Sequence, residues 1–144
     1  MNKVLFSSEK EDWETPQDFF DILDQEFHFT LDPCANKYNH KCNKYFTIND
    51  NGLEKSWSGE VVFCNPPYGR KIYNWVKKAN EESKNNKTII ILLIPSRTDT
   101  RYFHEFLYNK PNVELRFIKG RLKFGGSKNS APFPSLVAIF NYNN

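Results

Sequence analysis

The run Val61-Val62-Phe63-Cys64 stops at Asn65-Pro66-Pro67-Tyr68-Gly69, and this junction most narrows what the chain can fold into. Four apolar residues, three of them β-branched or aromatic, predict a short strand buried on both faces. Two prolines then forbid both further ladder pairing and entry into a helix. Asn65 precedes a proline, as does Pro66, so both are pushed toward extended backbone angles. The result is a side-chain amide, two carbonyls without a competing proline N–H, and an aromatic ring, held stiffly at a strand's carboxyl end. In open α/β sheets that end is where ligands bind.

The flanking pattern alternates between periods of two and 3.6. Phe19, Phe20, Leu23 and Phe27 recur at helical spacing and predict a helix over 16–26, with Thr15 as N-cap and Pro16 at the first helical position. Short strands are expected at 28–31 and 45–47, separated by a polar loop, with a turn over 49–53. A second helix runs from Ile72 to about Ser83. Residues 88–94 form the most hydrophobic run and read as a central strand. A third helix is expected over about 99–109, then strands at 113–118 and 134–140. These last two are joined through a Gly-rich tip at 125–130 and read as an antiparallel pair at the sheet edge. One three-layer α/β domain follows, covering 13–144, after a polar N-terminal segment expected to fray.

With 144 residues, 39% of them hydrophobic and 16% aromatic, the chain has the material for one substantial core. A net charge of +3 permits a polyanionic partner without demanding one. No stretch reaches the roughly 20 apolar residues a membrane span needs, and the start lacks a signal-peptide layout. Cys34, Cys42 and Cys64 are an odd number in no paired spacing, as expected of reduced thiols in a cytoplasm. His40 lies near two of them, but without a zinc-type ligand spacing no metal is expected.

Chemistry enters through Asn65 and Pro66. An exocyclic amino group on a heteroaromatic ring is a poor nucleophile because its lone pair is delocalised. Accepting hydrogen bonds from both amino hydrogens draws the nitrogen toward tetrahedral geometry. The Asn65 side-chain carbonyl and the Pro66 backbone carbonyl are two such acceptors at one point. Tyr68 is positioned to stack on a base, a contact worth about 1–3 kcal/mol in single-strand binders. The electrophile is then a sulfonium methyl held in line, so positioning supplies most of the catalysis. Set against this is a plain proline-rich loop. A recruitment peptide of the Pro-Pro-x-Tyr kind is a poorer match, since Tyr68 follows Pro67 directly. Asp32-Pro33, at another strand end, is either a second ligand-facing group or an ordinary turn. For Trp13 and Thr15, the blander reading of core anchor and helix cap carries more weight.

Blocks in order along the chain strengthen the sharper reading: Trp13-x-Thr15-Pro16, Leu31-Asp32-Pro33-Cys34-Ala35, Asn51-Gly52-Leu53, Trp57, Asn65-Pro66-Pro67-Tyr68, Pro95-x-Arg97-Thr98-Asp99-Thr100, Gly120-Arg121-Leu122-x-Phe124 and Pro132-x-Pro134-Ser135. Together they resemble the small phage-type, Dam-like DNA N6-adenine methyltransferases over nearly the whole chain. The resemblance implies a Rossmann-like class I S-adenosylmethionine-dependent methyltransferase, its mostly parallel sheet carrying an antiparallel C-terminal edge strand. It implies Asn65, Pro66, Pro67 and Tyr68 as the target-amino site. The cofactor would be held by Trp13, Thr15, Pro16, Asp32, Pro33, Cys34, Ala35 and Asn65, with Asp50 a weaker candidate for its ribose or adenine. Arg97, Arg121 and Lys123 are candidate DNA contacts. Two departures stand out: Asp32-Pro33-Cys34-Ala35 replaces the glycine-rich turn of larger relatives, and no separate target-recognition domain fits. Base reading then falls to loops 36–44, 97–101 and 119–131, and a duplex target has to be flipped out. The implied setting is a bacterial host cytoplasm. Methylation of a protein glutamine amide, of RNA adenine, or an idle DNA-binding relative are the alternatives.

Overall fold

The structure is a computed structural model that describes residues 12–125 and 128–142. The expected fraying of 1–12 therefore lies outside the described residues except at Asp12, and so does the centre of the Gly-rich tip. The elements are α1 (Gln17–Phe27), β1 (Leu31–Asp32), β2 (Lys44–Tyr45), β3 (Val61–Cys64), α2 (Ile72–Glu82), β4 (Ile89–Pro95), β5 (Val113–Phe117) and β6 (Ser135–Phe140). Short 3-10 turns cover Gly52–Glu54 and Gly69–Lys71.

One six-stranded sheet has the order β2-β1-β3-β4-β6-β5. The β1–β2, β1–β3 and β3–β4 pairs are parallel, whereas β6 runs antiparallel to both β4 and β5. An antiparallel pair does lie at one edge. Its C-terminal member is not the edge strand, however: β6 is inserted between β4 and β5, and β5 is outermost. The reason is hydrophobic. Every residue of β6 is buried, while β5 is only partly so, ending in an exposed Phe117, and the more apolar strand takes the interior place.

The core follows the apolar pattern. β4 is buried from Ile90 to Pro95 and pairs with β3 in register Val61–Ile89 through Cys64–Leu92. Phe63 points to the α1 face, where Phe20 meets it edge-on at 5.0 Å, and Phe29 joins the same cluster. Val62 and Cys64 therefore face the opposite side. α2 buries Ile72, Trp75, Val76 and Ala79, the face its 3.6 periodicity predicts.

Two local expectations change. Pro16, not Thr15, is the residue at which α1 starts: the Pro16 carbonyl accepts the first helical bond, from Phe20 N–H at 3.0 Å. The third helix is short and wide. Two α-helical residues, 101–102, run into a π-helical turn, Phe103–Leu107, which Tyr108 N–H closes on the Phe103 carbonyl at 2.7 Å. The extra residue in that turn still sends Tyr102, Phe103 and Leu107 into the core.

Candidate active site

Strand order places the site. From β1 the chain moves outward to β2, then crosses back over β1 to reach β3 and β4 on the other side. The order thus reverses between β1 and β3, and the carboxyl ends of those strands flank a topological switch point, the place at which open parallel sheets bind ligands. Asp32-Pro33-Cys34-Ala35 leaves β1 on one side. Asn65-Pro66-Pro67-Tyr68 leaves β3 on the other. Arg97 follows β4, and Arg121 and Lys123 follow β5, which runs parallel to β4; these exposed cations therefore follow the carboxyl ends of strands at the same end of the sheet.

Asn65 is tied to a segment 50 residues away. Its Nδ2 donates to the Trp13 carbonyl and, at 2.9 Å, to Thr15 Oγ1. Its Oδ1 is buried and has no hydrogen-bond partner. A buried acceptor left unmade costs about 1–3 kcal/mol, so such an atom at a strand's carboxyl end is a position where a donor ligand gains. Thr15 is buried beside it, and its hydroxyl serves Asn65 where the sequence suggested a helix cap.

Tyr68 differs from expectation. Its ring is 3% exposed, its hydroxyl donates to the Leu93 carbonyl at 3.2 Å, and burial pushes the phenol well above its ordinary pKa. Phe133 and Phe124 meet the ring edge-on at 5.5 and 6.3 Å, and Trp13 packs against both phenylalanines. No ring face is open for stacking in this state. Phe124 and Phe133 cover Tyr68, a contact that sequence reasoning passed over. Phe124 ends a block that resembles the family, but nothing local marks either ring as a cover for Tyr68.

The residues after β1 are built by Asp32. Its Oδ1 accepts from Cys34 N–H at 3.3 Å and its Oδ2 from Lys41 N–H at 2.9 Å. Burial raises the Asp32 pKa, and those backbone donors, Lys41 and Cys34, pull against it. The carboxylate is thus turned inward to brace loop 33–41. The Cys34 thiol, raised to about 12 by burial and by the Asp32 charge, stays protonated. Pro33 is buried and Ala35 half-buried, its N–H bonded to the Phe46 carbonyl. Asp50 lies apart from this brace: its exposed carboxylate accepts from the Thr47 N–H at 2.8 Å and closes the turn after β2. Among the described residues no cluster of three or more His, Cys, Asp or Glu is placed to hold a metal ion, and no helix is long and apolar enough to cross a membrane.

Comparison with known proteins shows the family. A family model described as DNA N-6-adenine-methyltransferase (Dam) matches residues 3–138. A DNA N-6-adenine-methyltransferase of Haemophilus phage HP1 (strain HP1c1) is 33% identical over 88 residues, covering 60% of this chain and 51% of that protein. The enzyme of the same name from Escherichia phage T1 is 32% identical over 103 residues, covering 70% of this chain and 42% of that protein. The matched stretches thus span about half the length of these curated relatives, or less.

Proposed function

We propose, since the chain belongs to the DNA N-6-adenine-methyltransferase (Dam) family, that it transfers a methyl group from S-adenosylmethionine to the exocyclic amino group of an adenine in DNA. The observation that carries this reading is the buried, unpartnered Oδ1 of Asn65 beside the β1–β3 switch point. The sheet, mostly parallel with one reversed strand, is read as the Rossmann-like class I methyltransferase arrangement. The activity belongs to the proposal, as do the donor, the target and a host-cytoplasm setting.

The residues present fit such a donor. Asp32 keeps loop 33–41 folded beside the switch point, and the segment Pro33-Cys34-Ala35, its N–H groups already engaged, offers its remaining surface to the methionine end. Asp32 contributes by shaping that segment, because both of its oxygens are already engaged. Pro16 and Trp13 lie on the segment that closes over Asn65. When bound, S-adenosylmethionine supplies an electrophilic methyl group. Asn65 Oδ1 and the Pro66 carbonyl accept the two amino hydrogens of the target, localising the nitrogen lone pair and aiming it at that methyl. Pro67, lacking an N–H, adds no donor that would repel the amino group. For Tyr68 to stack on the base, Phe124 and Phe133 must withdraw from it. That movement and extrusion of the adenine from the duplex are one event in this reading. Arg97, Arg121 and Lys123, exposed beyond the carboxyl ends of β4 and β5, are suited to the phosphates.

The test is transfer of labelled methyl from S-adenosylmethionine to DNA, RNA and protein acceptors in parallel. Label in the adenine of DNA is expected. Label only in protein sinks the reading, and no label in any acceptor favours a DNA-binding relative without activity. Asn65→Ala is expected to abolish transfer while leaving donor binding by calorimetry intact.

A further inference from the structure

The Asn65 amide faces Trp13 and Thr15 in only one of its two flips. A backbone carbonyl has lone pairs and no proton, so the atom opposite the Trp13 carbonyl has to be the NH2 group. Rotating the amide by half a turn would set Oδ1 against that carbonyl, acceptor to acceptor. The second amide hydrogen goes to Thr15 Oγ1 at 2.9 Å. Both donors are thereby consumed, and Oδ1 is left as the one polar atom of the amide without a partner.

The clamp is itself held. Pro16 restricts Thr15 to extended angles, so the Trp13 carbonyl and the Thr15 side chain are presented by a stiff segment. Gly125 N–H donates to the Glu14 carbonyl at 2.8 Å, pinning the residue between them. The Trp13 ring packs edge-on against Phe124 and Phe133 at 5.4 and 5.1 Å. Donating two hydrogen bonds also polarises the amide and adds negative charge to Oδ1, which strengthens it as an acceptor.

We propose that Thr15, together with the Trp13 carbonyl, is a positioning residue that locks the Asn65 amide so that Oδ1 alone meets the reacting amino group. The proposal rests on the reading of Asn65 as the amino-group acceptor, and it moves Thr15 from the donor-binding wall to the target side. Without Thr15, the amide is free to present its NH2 to a target that is itself a donor, and a fraction of encounters is unproductive.

Two measurements on the full chain test this. The first is single-turnover methyl transfer to adenine-containing DNA, with the dissociation constant for S-adenosylmethionine measured separately. The second is solvent exchange of the Asn65 side-chain NH2, followed by NMR without donor or DNA and assigned by its loss in Asn65→Ala. Thr15→Ala and the isosteric Thr15→Val should each slow transfer about tenfold, with donor affinity unchanged and the Asn65 NH2 exchanging faster. Thr15→Ser, which keeps the hydroxyl, should restore both to within about twofold. Weaker donor binding with normal transfer at saturation would make Thr15 a donor contact and overturn the proposal. So would slowed transfer with unchanged NH2 exchange, or faster exchange with normal transfer. If Asn65→Ala itself transfers normally, the acceptor reading fails first, and this outcome is separable because Thr15 variants would still report on amide order by NMR.

Discussion

Gly52 approaches the carbonyl oxygen of Pro33 so closely that a Cβ at position 52 would stand 2.1 Å from it. The same Cβ would meet the Trp75 ring at 3.2 Å, and the Gly52 carbonyl accepts from Trp57 Nε1 at 3.0 Å. The contact joins the turn after β2 to the wall after β1, and its obstacle is backbone, which cannot swing aside.

Gly52→Ala should therefore destabilise the fold by about 1–3 kcal/mol, the usual cost of overpacking. It should also weaken binding of S-adenosylmethionine, because Pro33 has to shift to admit the methyl. Urea unfolding and calorimetric titration measure the two effects. A variant with the parent's denaturation midpoint and affinity would show that the two turns are not pressed together in solution.

Arg116 on β5 grips Glu26 at the end of α1 with two parallel hydrogen bonds of 2.7 Å, and Tyr142 adds a third at 2.6 Å. These hold the Glu26 carboxyl at about 2, against an ordinary 4.5, despite a small opposing effect of burial. A depressed carboxylate pKa adds stability that is present above the unfolded value and lost as pH falls through the folded one. The difference in Tm between the parent and Arg116→Met should be full above about pH 4.5 and fade toward about pH 2. Salt should shrink it, because both side chains are about a third exposed. Arg116→Lys keeps the charge but loses the fork, and should fall between the two.

Tyr68 was legible as a candidate site residue from its neighbours, but its burial was not. The spacing of Phe124 and Phe133 follows no helical or strand period, so nothing local says that they close on a ring near residue 68. Asn65 and Thr15 are a similar case. Thr-Pro ahead of an amphipathic stretch is a sound cap signal, and the competing partner lies 50 positions downstream, beyond any local pattern. By contrast, β3 matches the expected 61–64 without change, and α2 and β4 differ from expectation by a residue, because burial on both faces and 3.6 periodicity are written locally. The place of β6 inside the sheet was not legible, since antiparallel pairing alone leaves open which member faces outward.

The cover on Tyr68 gives a contrast between two variants. Tyr68→Phe removes only the hydrogen bond to the Leu93 carbonyl, so stability should fall by about 1 kcal/mol while the ring remains for stacking. Phe133→Ala deletes a buried ring in contact with Tyr68 and Trp13, and should cost about 3–5 kcal/mol. If the rings must part for a base to enter, Phe133→Ala should also bind adenine-containing DNA faster relative to its stability loss, in stopped-flow at a temperature where it stays folded. Parent-like association by Phe133→Ala would mean that the cover is not what limits entry.

Asn65→Asp tests the direction of the amide without altering its size. The substitution places a carboxylate oxygen where Nδ2 now donates, opposite the Trp13 carbonyl. Thr15 can turn its hydroxyl to donate, but a backbone carbonyl cannot, and two acceptors left facing each other in a buried place repel. Protonation relieves this, since a neutral carboxyl donates one hydrogen bond to that carbonyl and still offers its other oxygen to the target. Burial and the facing carbonyl both favour the neutral form, so the folded pKa at this position is raised above the unfolded one. A carboxyl with a raised folded pKa binds its proton in the native state, and the stability it confers is present at low pH and lost as pH rises through the folded value. Relative to the parent, both the Tm and the methyl transfer of the variant should therefore fall as pH rises above about 4, the ordinary value of an aspartate carboxyl. Parallel pH profiles for the two proteins would show that the oxygen opposite Trp13 feels no acceptor, and that the amide is not held in the orientation that leaves Oδ1 free.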